Sequence, residues 1–116
     1  MRRTEEAHPL VLRAEATRLS RDAIEALAGE VPRDEAQVAG LLEECIRGHF
    51  ARAFTTTALA ALHAGVPVEA RHLVEGARGG RWTFGGLVHV CLTHGYRNVA
   101  SRVGRLAAVA PDNHLI

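Results

Sequence analysis

Four residues in this chain have the types and spacing to hold a metal ion: Cys45 with His49, and Cys91 with His94. Steps of four and three residues put each pair on one face of a helix. Two such helix ends brought together would present the tetrahedral Cys2His2 set that zinc prefers. Both cysteines, however, lie on apolar stripes, where a thiol packs as a small hydrophobe. Neither belongs to the tight Cys-x2-Cys knuckle that marks a zinc site in sequence. Core thiols are the leading reading, and a metal site at Cys45, His49, Cys91 and His94 is the alternative. Glu69-Ala70-Arg71-His72 is a Glu-x-x-His step of the kind used in carboxylate-bridged di-iron bundles, which need two copies. Only one is present, so a solvated helix face is expected there.

Other chemistries find less support. No Gly-x-Ser-x-Gly elbow is present, and Ser20 and Ser101 stand beside arginines in or near helices. A dyad of Cys91 and His94 would lack a third, orienting group. The glycine-rich stretches at Gly76, Gly79-Gly80 and Gly85-Gly86 cannot form a P-loop, because the chain has no lysine. Arg78-Gly79-Gly80-Arg81-Trp82 combines guanidinium groups with the single tryptophan. That pairing suits stacking on a nucleobase. It suits a protein hot spot equally well. The plainer reading is an inter-helix loop whose tryptophan packs inward.

The composition bounds what surrounds these residues. With 116 residues there is room for one domain and one modest core. The apolar share is 47% and the aromatic share 4%, so alanine, leucine and valine must fill the interior. All fourteen basic residues are arginine and the net charge is +1. The arginines are dispersed, as codon usage in a GC-rich, bacterial-type genome would leave them, and the balance favours neither nucleic acid nor an anionic membrane. No secretory segment follows Met1, and no apolar run reaches the ~20 residues that cross a bilayer. Two cysteines without a framework fit reduced thiols in a cytoplasmic protein.

The elements follow from the apolar spacing. Residues 1–8 are polar and expected to fray. From Pro9, the positions Leu12, Ala16, Leu19, Ala23 and Leu27 recur at helical steps, with Ser20 able to cap a second helix. Gly29 and Pro32 end that stretch. Asp34 and Gln37 are placed for a capping box, with Asp34 accepting from the N3 amide. Val38, Leu41, Leu42, Cys45 and Ile46 form the next stripe. Gly48 either ends that helix or lies within one long helix to Ala64. Phe50, Phe54, Ala58 and Leu62 line the next face, and Gly65-Val66-Pro67 breaks it. Further helices are expected from Pro67 to Gly79 and from Thr83 to Gly95, with a last one ending before Pro111.

A thirty-residue repeat runs through this second half. Leu62 falls on Leu92, Gly65 on Gly95, Ala70 on Ala100, Ala77 on Ala107 and Phe54 on Phe84. Gly65, Ala70, Val74 and Ala77 resemble the centre of a tetratricopeptide repeat, in which small residues let paired helices approach and a bulky one fills the gap. The resemblance covers roughly residues 51 to 110. It departs from that family in its step, against the usual ~34 residues, in Ala61 and Cys91 where an aromatic is expected, and in Gly104 where a bulky residue belongs. Leu92-Thr93-His94-Gly95-Tyr96-Arg97-Asn98-Val99-Ala100 resembles instead the turn between late helices of a caspase-recruitment (death-fold) domain. Both resemblances imply a protein-binding module without chemistry.

The expected fold is all-α: five or six short antiparallel helices packed as stacked helical hairpins. A frayed segment at 1–8, a single domain at 9–111 and a tail at 112–116 complete it. Stacked hairpins leave an apolar end face for a partner or a second copy to cover. The expected function is a non-enzymatic protein–protein interaction module, an adaptor or oligomerising scaffold that needs no cofactor. Its contact candidates are Arg78, Arg81, Trp82 and Arg97. A small metal- or ligand-responsive regulator using the Cys/His pairs is the alternative. Leu62, Leu73, Leu87 and Leu92 are expected in the core, and Gly65 and Gly95 in left-handed turns.

Overall fold

The computed structural model describes residues 7–68 together with 72, 89, 91–93, 95, 97, 100, 101 and 103–105. Among these residues the regular structure is helical, with no strand. Four helices are complete: α1 (Pro9–Ala16), α2 (Arg21–Ala28), α3 (Glu35–Gly48) and α4 (Ala51–His63). Helical backbone recurs at His72, His89, Cys91–Thr93, Arg97, Ala100, Ser101 and Val103–Arg105. The antiparallel stacking of hairpins and the tail at 112–116 lie outside what these residues decide.

Helix α4 is the hub, packing against α1, α2 and α3. Eight of its thirteen residues are apolar and Arg52 is its one fixed charge, which suits a helix enclosed by others. Nine of its thirteen residues are buried. Phe54 is the largest fully buried side chain among the described residues, with Ile24 of α2 and Leu42 of α3 also fully buried. Three consecutive threonines are poor helix formers. Two of them bond back to the preceding turn: Thr55 Oγ1 donates to the Ala51 carbonyl at 3.2 Å, and Thr56 Oγ1 to that of Arg52 at 2.9 Å. The buried hydroxyl of Thr57 has no hydrogen-bond partner.

The ends of α4 are capped from a distance. Phe50 precedes the helix and has no side chain able to cap it. Glu15, at the end of α1, takes that role: its Oε1 accepts from the Ala53 amide at 2.9 Å. At the other end, Nη1 of Arg33 donates to the Ala64 carbonyl at 3.1 Å. A carboxylate at the N-terminus and a guanidinium at the C-terminus each oppose the helix dipole. Glu44 of α3 similarly accepts from the His8 amide at 2.7 Å. His8 Nδ1 then accepts from Leu10 N at 3.0 Å, ahead of Pro9 at the first helical position. His8, read from sequence as the last residue of a frayed segment, is therefore an anchored helix cap.

Local caps follow the sequence more closely. Ser20 Oγ accepts from Ala23 N at 3.1 Å. Asp34 Oδ1 accepts from Ala36 N at 3.0 Å, one residue earlier than the N3 amide expected of a capping box. Gly29 ends α2 in a right-handed conformation at φ −75°, so its role there uses none of glycine's extra freedom. The stripe through Leu12, Ala16 and Leu19 is corrected. The backbone is extended at Thr17, whose hydroxyl donates to the Arg13 carbonyl at 2.7 Å. The buried face of α1 is Leu10, Val11 and Ala14.

The end of α3 inverts the expected glycine stop. The helix stops near Gly48 and does not continue to Ala64, yet the left-handed residue is His49, at φ 58°. Phe50 N donates to the Cys45 carbonyl at 2.9 Å and His49 N to that of Ile46 at 3.3 Å, the pair of bonds of a Schellman motif. Gly48 is needed for space: a Cβ there would collide with the ring of Phe50, which is itself buried.

Candidate functional site

A groove of roughly 300 Å³ opens between α1 and α2. Its walls carry Ala14, Ala16, Ala23, Ala26 and Leu27, and Thr56 of α4 also lines it. Four alanines leave the space because none projects beyond Cβ. Arg13 and Glu30, both lining the groove, form an ion pair at 2.7 Å. The hydrogen bond to Glu30 and its charge together push the Arg13 guanidinium pKa up. Both side chains are about half exposed, and such pairs contribute little to stability. Ala16 and Ala23, read from sequence as core positions, thus line an open apolar surface.

A second feature is closed. His72 is 1% exposed and faces α3, in a crevice lined by Glu35, Val38, Ala39, Leu42, Pro67 and Val68. The crevice has no room for a molecule the size of water. Neither ring nitrogen has a hydrogen-bond partner. Nε2 lies 3.9 Å from Oε2 of Glu43, beyond hydrogen-bond reach. The solvated helix face expected for the Glu69-x-x-His72 step is therefore overturned at His72. Glu69 itself lies outside the described residues. Charged neighbours in sequence suggested water, whereas the side chain turns onto the apolar flank of α3.

Cys45 and His49 are set apart by the end of α3. Cys45 is fully buried among the core side chains, while His49 is exposed beyond the helix end, where the chain has reversed. The rule of four residues on one face fails because His49 no longer belongs to the helix. Cys91 is also fully buried. Burial pushes its pKa up to about 11, away from the thiolate that metal binding or nucleophilic attack requires. His94 lies outside the described residues. Neither cysteine forms a disulfide. No group of three or more His, Cys, Asp or Glu side chains able to hold a metal occurs among the described residues.

Of the contact candidates, Arg78, Arg81 and Trp82 lie outside the described residues, as do the expected core positions Leu73 and Leu87. Arg97 is described and exposed. Leu92, expected in the core, is 54% exposed and is the one exposed large hydrophobic among the described residues. No helix among the described residues is long and apolar enough to cross a membrane. No family model matches the chain, and no curated protein or solved structure does.

Proposed function

We propose that this chain is a non-enzymatic protein-interaction module, working as an adaptor or as a scaffold that self-associates. The observation that carries this reading is the alanine-walled groove between α1 and α2. It is open, predominantly apolar, and sized for one or two large side chains of another polypeptide. The polar groups near it are already engaged: Arg13 with Glu30, and the Thr17 and Thr56 hydroxyls with backbone carbonyls. A surface that offers apolar space without an unsatisfied reactive group is suited to docking. The exposed Leu92, with Arg97 beyond the Gly95 turn, offers a second apolar contact. The tetratricopeptide and death-fold resemblances both point to binding without chemistry, a fold-level analogy that supports the same class of function. Arg78, Arg81 and Trp82 remain contact candidates on sequence alone, with tryptophan and arginine enriched at hot spots.

The test is light scattering on the purified chain across a concentration series, with capture from host lysate alongside. Ala26→Arg places a charge on the exposed groove wall. Arg81→Ala with Trp82→Ala removes the sequence-based candidates. The expected result is a mass above the 12.5 kDa monomer, or a captured protein, lost in at least one of these variants. A wild-type chain that stays monomeric and captures nothing overturns the proposal, as does association that both variants leave intact. The metal- or ligand-responsive alternative then rises, and metal content of the purified chain would test it.

A further inference from the structure

No further inference is drawn: the strongest candidate, the closed crevice on α3 where buried His72 leaves both ring nitrogens without a hydrogen bond 3.9 Å from Glu43, has no room for a molecule the size of water, gathers no third ligating side chain among the described residues, and nothing in the structure shows what would occupy or open it.

Discussion

Two turns thirty residues apart share a backbone conformation and differ in what surrounds it. Gly65 and Gly95 stand at φ 86° and 82°, and each donates its amide to a leucine carbonyl three residues back, at 3.1 Å in both. The residues preceding them match in part, since Ala61 and Cys91 are both fully buried. The leucines do not. Leu62 is 4% exposed and Leu92 is 54% exposed. At the first turn, Val66 N also donates to the Ala61 carbonyl at 2.8 Å, and buried Val66 closes a Schellman motif. A repeat in sequence therefore preserved the turn, whose requirement is local, and not the burial, which depends on what packs alongside. Leu62 sits on α4, enclosed by three helices.

The sharpest way to break this comparison is to truncate both leucines. Leu62→Ala should cost about 2–5 kcal/mol, the range for a buried leucine leaving a cavity. Leu92→Ala should stay within about 0.5 kcal/mol, as surface changes do. Denaturant unfolding of the two variants measures both. Equal losses would show that the second turn is packed like the first, and would weaken Leu92 as a contact surface.

The turns themselves should respond alike. Alanine in a left-handed conformation is strained by about 1–2 kcal/mol, so Gly65→Ala and Gly95→Ala should each destabilise by about 1 kcal/mol or more. A Cβ at Gly65 meets nothing within 4 Å, whereas one at Gly95 comes to 3.2 Å from Nη1 of Arg21. That guanidinium is the far end of a flexible side chain and can move, so the two losses should agree closely. A stabilising effect at either position would place that glycine inside a continuous helix.

His72 offers a different comparison, with the apolar residues that enclose it. An unsatisfied buried polar group is destabilising by about 1–3 kcal/mol, and replacing it with an apolar group of similar shape is neutral or favourable. His72→Leu should therefore leave stability unchanged or raise it by about 1 kcal/mol in thermal or denaturant unfolding. A clear loss would mean that the ring makes a polar contact, most directly with Glu43.

What the sequence made legible was what neighbours in sequence decide. Ser20, Gly65 and the stripe of α4 act over three to five residues and are where spacing puts them, while Asp34 caps α3 one amide early and Ile46 at the end of its stripe is only partly buried. The caps of α4 are not of this kind. Glu15 and Arg33 act across 38 and 31 residues, and nothing in their local sequence distinguishes them from other exposed charges. The apolar steps of α1 continue through Thr17–Ser20, where the chain leaves the helix, so spacing alone does not give its phase. The groove was illegible for a different reason: alanine is compatible with a core and with a surface, so Ala16 and Ala23 carry no signal until neighbouring helices are in place. Burial of His72 likewise depends on its side chain meeting α3, which its charged sequence neighbours do not reveal.

The smallest expected effect is that of His49 at the end of α3, where glycine and histidine hold each other's usual places. His49 adopts the left-handed conformation that glycine takes without strain, at a penalty of about 1–2 kcal/mol for an L-residue. Glycine would relieve that strain while adding about 0.5–1 kcal/mol of backbone entropy to the unfolded chain. His49→Gly should thus stabilise by a net of roughly 0–1.5 kcal/mol, read as a rise in the denaturation midpoint. Gly48→Ala should do the opposite, since its Cβ would drive into the buried Phe50 ring, an overpacking that costs about 1–3 kcal/mol. Opposite signs at adjacent positions would establish that Gly48 is held for space and His49 is tolerated against its backbone preference. A loss at His49→Gly would show instead that the histidine side chain contributes more to the helix end than its strain removes.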